Sequence, residues 1–306
     1  MRLPDAEAAV ADELAALSTA EIVEAAGARG APRFVKRAVE VVARLSSRRL
    51  GKLLARFDAR VGDAGVARAA REVLQQLGAV VDVSGEPPPA GGALLVCNHP
   101  GAFDALATLA ALARDDVAVI ASERPFLRAL PHFKEHVLFV ADSRTNGSAM
   151  GRAAGLRSAL AWLAGGGVLV QFGAGAIEPD ARFAREGEDL LGPWPPGTGV
   201  LAARASALGV AVVPAFVSGV HSRRAMRLPL VRFAERRGIT TIAPLIQATM
   251  PGFRDVVVSV RFGAPLSPSP SGPRRAPSAA APAASYADVT ARLREAVRSL
   301  ASGPRR

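Results

Sequence analysis

Cysteine is almost missing: Cys97 is the only one in a chain of 306 residues. That excludes a disulfide within one chain and a cysteine-built metal centre, and it fits a reducing compartment. Aromatic residues make up 5% of the chain, with a single tyrosine and two tryptophans. Surfaces that hold single-stranded nucleic acid interleave cations with aromatic rings, so no nucleic-acid partner is expected. No unbroken apolar run reaches the roughly 18 residues that a membrane-spanning helix needs. The first apolar stretch is broken by Asp12 and Glu13 and does not read as a secretory signal. The expectation is a cytoplasmic chain, soluble or peripheral on the inner face of the cell membrane.

What is present is positive charge. The formal net charge is +11, which favours an anionic lipid surface or an acidic small molecule such as coenzyme A. Lysine is rare beside arginine, so arginine abundance by itself says little. Residues 3–27 alternate alanine with acidic residues and read as a helix ending near Gly27 and Gly30. Residues 33–60 carry nine basic residues against Glu40 and Asp58, a net charge of +7. Their apolar positions, among them Phe34, Val39, Leu50, Leu54 and Phe57, recur at helical spacing. Such a basic amphipathic helix suits an anionic membrane surface, or else a solvated helix packed on the domain.

From residue 79 onward the pattern alternates. Short apolar runs at Ala93–Cys97, Val117–Ala121, Val137–Ala141, Val168–Phe172, Ala211–Val217 and Val256–Phe262 read as buried strands. Helical windows fall at Asp104–Ala113, Ser148–Ala164, Thr198–Leu208 and Arg223–Arg237. The alternation predicts an α/β fold with a mostly parallel central sheet flanked by helices, preceded by an N-terminal helical segment. The expected organisation is a helical region over 1–78 and an α/β domain over 79–266. A Pro/Ser/Ala-rich linker over 267–285 and a C-terminal helix and tail over 286–306 complete it.

The strand at Ala93–Cys97 runs into Asn98-His99-Pro100-Gly101-Ala102-Phe103-Asp104. In a parallel sheet, reactive groups gather at carboxyl ends of strands. With Pro100 and Gly101 making the turn, Asp104 falls in the first turn of a helix and its carboxylate can fold back onto the imidazole. That bond fixes one tautomer and stabilises the imidazolium once the other nitrogen takes a proton, as in the His–Asp half of a serine-protease triad. No serine is needed if the substrate brings its own hydroxyl or amine.

Asn98-His99 through Asp104 resembles the first motif, H-x-x-x-x-D, of the glycerolphosphate and lysophosphatidate acyltransferases. Further likenesses follow in order. Phe139 to Arg144 resembles the second motif, and Val170 to Gly175 occupies the place of the third. Val212-Val213-Pro214-Ala215-Phe216 is similar to the fourth, a strand with a central proline, and Val260 to Pro265 to the closing strand. The resemblance covers roughly residues 80–266, its first motif being the specific one.

It implies an acyltransferase that takes a fatty acyl group from acyl-CoA or acyl-carrier protein to a lyso-lipid or glycerol-type acceptor. His99 would be the base, oriented by Asp104. Arg144, Gly175 and Glu178 would bind the acceptor, with Arg124 and Arg128 as further anion donors. Asn98, Gly101, Phe103 and Gly173 would support the site or steady the oxyanion, and Pro214 is structural. No cofactor or metal is implied. One departure stands out. The glutamate expected before the third motif's glycine and the arginine soon after it are replaced by Ala174 and by Ala176-Ile177, so the carboxylate is missing or displaced to Glu178. Members of the subgroup with an alanine-glycine turn include some linked to other acceptors.

Other signals point elsewhere. His132-Phe133-Lys134-Glu135-His136 spells the inverted zinc-protease signature H-x-x-E-H, but Pro131 before it and a strand after it leave no room for the helix a zinc hydrolase requires. Gly173-Ala174-Gly175 begins like a dinucleotide fingerprint, yet Glu178 stands where the third glycine belongs. His221 opens a basic window, Arg223 to Arg237, that reads as a solvated face, or more sharply as a dock for coenzyme A phosphates or an acidic carrier. Cys97 reads as a small buried residue. A catalytically degenerate peripheral lipid-binding protein is the non-enzymatic alternative.

Overall fold

The computed structural model of the chain describes residues 5–25, 33–101, 103–140, 149–236, 242–253, 255–266 and 283–301. The chain divides into two compact units, each assembled from segments distant in sequence. One comprises Met1–Val80, Glu123–Glu135 and His221–Val257; the other comprises Val81–Ser122, His136–Val220 and Val258–Arg306.

The first unit is helical. Its longest elements are α1 (Asp5–Ala25) and α2 (Arg33–Ala64), followed by α3 (Val66–Gln76). Gly51 of α2 lies so close to α1 that a Cβ there would sit 2.4 Å from the Ala11 carbonyl oxygen. Ala11, Leu14 and Ala15 of α1 and Ala55, Phe57 and Val61 of α2 are buried. The apolar positions in this half of the basic helix therefore serve internal packing. The side chains of residues 33–46 lie outside the described residues.

Phe57 meets Phe133 edge-on, with ring centroids 5.0 Å apart. Asp58 is buried, and its carboxylate accepts the backbone N–H groups of His132 (3.0 Å) and Phe133 (2.8 Å). The same unit holds α5 (Pro125–Arg128), α8 (Arg223–Arg227), α9 (Pro229–Glu235) and α10 (Ile242–Thr249). The sequence pattern had offered Arg223–Arg237 as one helix. Pro229 interrupts it by forcing Leu228 into extended backbone (ψ 133°), and Arg237 lies outside the described residues.

The second unit is built on a seven-stranded sheet. Its strands are β1 (Ala79–Ser84), β2 (Ala93–Cys97), β3 (Val117–Ser122), β4 (Val137–Val140), β5 (Val168–Phe172), β6 (Ala211–Ser218) and β7 (Val256–Phe262). Their order is β1-β7-β6-β2-β5-β3-β4. Pairings β2–β5, β2–β6, β3–β5 and β3–β4 are parallel, and β6–β7 is antiparallel. This is the α/β fold with a mostly parallel sheet that the alternation predicts. The edge strand β1 has no counterpart among the predicted strands, because a strand with Val80 and Val83 exposed lacks a buried apolar run.

Four helices accompany the sheet: α4 (Asp104–Leu112), α6 (Ala149–Ala164), α7 (Pro196–Ala207) and α11 (Ala283–Ala301). Leu94 and Val96 of β2 join Leu163 of α6, Leu201 of α7 and Leu293 of α11 in one buried cluster. Every residue of β2 is buried, as befits a central parallel strand covered on both faces. Pro214 sits within β6 opposite Val96, and its carbonyl accepts from Gly263 N–H at 2.8 Å. A Cβ on Gly263 would come within 2.9 Å of the Pro214 ring, so glycine is what lets the chain pass. Residues 267–282, which include most of the predicted linker, lie outside the described residues. No helix among the described residues is long and apolar enough to cross a membrane.

Candidate active site

His99 follows the carboxyl end of β2, and Asp104 opens α4. Gly101 makes the turn between them with φ +81°, a conformation that favours glycine. The turn brings His99 Nδ1 to 2.7 Å from Asp104 Oδ2, and the same oxygen accepts Gly101 N–H at 2.7 Å. Asp104 Oδ1 accepts Ala105 N–H at 2.6 Å. The aspartate is buried, while 29% of the histidine side chain is exposed. Because the carboxylate accepts, Nδ1 donates, and Nε2 of the neutral ring is the basic nitrogen. Phe172, at the end of β5, stacks on the imidazole with ring centroids 4.3 Å apart.

Burial of the ring opposes its protonation. The Asp104 charge and hydrogen bond, with Glu178 adding its own charge, outweigh burial and raise the His99 pKa. The pair therefore has the features of an oriented base with enhanced proton affinity.

Glu178 is held differently from an acceptor-binding carboxylate. It is buried, and its Oε2 accepts the backbone N–H of His99 at 2.9 Å. Oε1 accepts Gly192 N–H at 2.8 Å and Trp194 Nε1–H at 3.0 Å. Its own N–H donates to the His99 carbonyl at 2.7 Å, so one residue grips both sides of the histidine backbone. Burial raises the Glu178 pKa, although these three donors and the charge of His99 pull the other way. Both oxygens face inward onto protein donors, so the carboxylate braces the His99 backbone.

The supporting residues also take definite places. The amide of buried Asn98 bridges to β6, accepting Val217 N–H (2.7 Å) and donating to its carbonyl (2.8 Å), which makes it a strut. Gly101 N–H is bound to Asp104. Gly173 N–H donates to Cys97 O (2.8 Å) and Gly175 N–H to Phe172 O (3.1 Å). These three amides are thus occupied in the resting site. Phe103 is buried at the N-cap of α4, and Gly175 lies exposed at φ +63°. Arg144 lies outside the described residues. Arg124 and Arg128 belong to the helical unit, where Arg128 pairs with Glu123 at 3.0 Å.

No family model matches the sequence, and no curated protein matches it. Among solved structures, the chain is similar to the 1-acyl-sn-glycerophosphate (LPA) acyltransferase PlsC from Thermotoga maritima. The TM-score is 0.45 and the identity 15%, over 98% of this chain and 97% of that one.

Three residues of the site escaped the sequence pattern. Phe172 falls in a predicted strand and in the third-motif window, which assign its ring no role. Trp194 seals the Glu178 carboxylate, and its ring lies where a Cβ on Gly173 would be, 2.5 Å away. Buried Asp180 accepts Gly219 N–H at 2.7 Å. Trp194 and Asp180 sit in the irregular stretch between β5 and α7, where no period marks a role; the Gly-Pro-Trp-Pro-Pro run was the available signal. Gly173→Ala is expected to cost about 1–3 kcal/mol through this overlap, read as a lower melting temperature.

Two further signals resolve locally. Glu135 and His136 fall on a single 3-10 turn, Phe133–His136, with His132 just before it, and His136 Nδ1–H donates to the Val117 carbonyl at 2.8 Å. Among the described residues no group of three or more His, Cys, Asp or Glu is placed to hold a metal ion. The Cys97 thiol is buried, and burial, with Asp104 and Glu178, pushes its pKa well up, as for an unreactive core residue.

Proposed function

We propose that the chain is an acyltransferase acting on a fatty acyl thioester, with His99 as general base and Asp104 as its orienting partner. The observation that carries this reading is the 2.7 Å contact between His99 Nδ1 and a buried Asp104 carboxylate, itself fixed by Gly101 and Ala105 N–H groups. The ordered likeness of the surrounding motifs to glycerolipid acyltransferases supports the choice of reaction.

In this mechanism Nε2 takes the proton from an acceptor hydroxyl or amine as its oxygen or nitrogen attacks the thioester carbonyl. The Asp104 carboxylate offsets the positive charge that forms on the ring. Collapse of the tetrahedral intermediate breaks the C–S bond, and the imidazolium returns its proton to the departing thiolate of coenzyme A or the carrier protein. Atoms balance without a cofactor. A lyso-lipid or glycerol-type acceptor at the inner face of the cell membrane is the preferred substrate class. Because Glu178 is turned inward and Ile177 stands where the resemblance calls for a cation, recognition of a phosphate would fall to Arg144.

Thiol release from acyl-CoA, followed with a panel of lyso-phospholipid, glycerol-type and amine acceptors, tests this. Release that depends on one acceptor is expected. Vesicle binding with no turnover on any acceptor would favour the catalytically silent lipid-binding alternative.

Glu178→Gln provides a narrower test. Three donors converge on the carboxylate, and an amide group must turn its own N–H groups toward at least one of them. With the loss of one negative charge, the His99 pKa should fall. Turnover is expected to drop about tenfold to a hundredfold, in line with about 1–3 kcal/mol for an unsatisfied buried donor, while the acceptor KM stays near that of the unmodified enzyme.

A further inference from the structure

The helical unit carries a surface unrelated to His99 chemistry. In α9, Val231 and Ala234 are buried at 0% and 4% exposure, while Leu230 and Phe233 are exposed at 63% and 56%. Each pair is three residues apart, so the short helix has two apolar edges, one inside the protein and one in water. Arg232 and Arg236, four apart, form the row beside the outer edge, and both are exposed. In α8, one turn earlier in the chain, Arg223, Arg224 and Arg227 are exposed as well. Residues 223–236 thus hold five arginines against one acidic residue, Glu235, whose carboxyl burial keeps above its ordinary pKa. Among the described residues, Arg224 alone of these arginines faces a carboxylate from outside the segment, Asp255 at 3.6 Å.

A solvated basic face does not require large apolar side chains in water. Their presence among cations matches what an interfacial helix offers to lipid: apolar groups for the acyl boundary and arginines for phosphate headgroups. We propose that α8 and α9 form the docking surface of this protein for an anionic lipid bilayer. The apolar positions of α2 from Ala55 to Val61 are turned into the protein, so that half of α2 cannot supply the apolar contact. A second copy of the chain, also at +11, would set cation against cation. The inference stands independently of the catalytic reading.

The test is co-sedimentation of the full chain with vesicles of phosphatidylcholine alone and of phosphatidylcholine mixed with phosphatidylglycerol, at low and high salt. The unmodified chain is expected to bind the mixed vesicles at low salt and to release in high salt. Replacing both Leu230→Ser and Phe233→Ser should weaken that binding by about tenfold or more, with the circular dichroism spectrum unchanged. Replacing both Arg232→Glu and Arg236→Glu should weaken it similarly and flatten the salt dependence. Undiminished binding by the Leu230/Phe233 variant overturns the proposal. So does equal binding to neutral vesicles, or loss confined to the arginine variant, which would mark a charge-only patch of the kind an acidic protein uses.

Discussion

His99→Ala is expected to lower acyl transfer by about a thousandfold or more, within the range for removing a positioned base, while the melting temperature changes little. The ring is partly exposed and its polar partner is Asp104. Removing it leaves that carboxylate still accepting Gly101 and Ala105 N–H groups, so the cost in stability should be about 1 kcal/mol. Backbone contacts between His99 and Glu178 do not depend on the side chain and should survive. Separation of activity from stability is what distinguishes a base from a loop-capping histidine, whose loss would lower both together.

Asp104→Asn should be nearly as damaging, about 10³–10⁴-fold in turnover by analogy with other His–Asp pairs, and more informative. Asp104 meets three donors, two on Oδ2 and one on Oδ1. An asparagine can present its oxygen to one side only. If the oxygen faces His99 and Gly101, the amide N–H groups confront Ala105. If the amide faces His99, the imidazole must accept at Nδ1 and carry its proton on Nε2, where it cannot act as base.

The pH dependence follows with a definite sign. His99 works neutral and its pKa is raised, so activity should fall as pH drops through that raised value. Removing the carboxylate lowers the pKa, and the acid limb of any residual activity should move to lower pH. Stability carries the same signature. A raised histidine pKa contributes stability that is fully present below the unfolded imidazole's pKa and is lost as pH rises through the folded value. Denaturant unfolding at several pH values should show this drift in the unmodified protein and a weaker one in Asp104→Asn.

Much of the fold was legible because buried parallel strands are nearly uniform apolar runs. β2, with all five residues buried, is the clearest case. The His99–Asp104 contact was legible for a local reason, since five residues containing Pro100 and Gly101 allow few arrangements. Glu178 was not, because its orientation depends on Gly192 and Trp194, 14 and 16 residues further on. No spacing rule reaches across that irregular loop. Nor did spacing show that Gly101, Gly173 and Gly175 amides would be occupied, which is a property of the folded turn. The break at Pro229 was open to view, but the helical period on both sides of it masked the change in direction that exposes Leu230 and Phe233.

Mass-spectrometric detection of acylated product tests the central claim most directly, with purified protein, a long-chain acyl-CoA and a panel of lyso-lipid and glycerol-type acceptors, run in parallel with His99→Ala. The account requires one acceptor to gain an acyl group in the presence of the unmodified chain and to stay unacylated with the variant. Equal product from both proteins would show that the imidazole beside Asp104 is not the base.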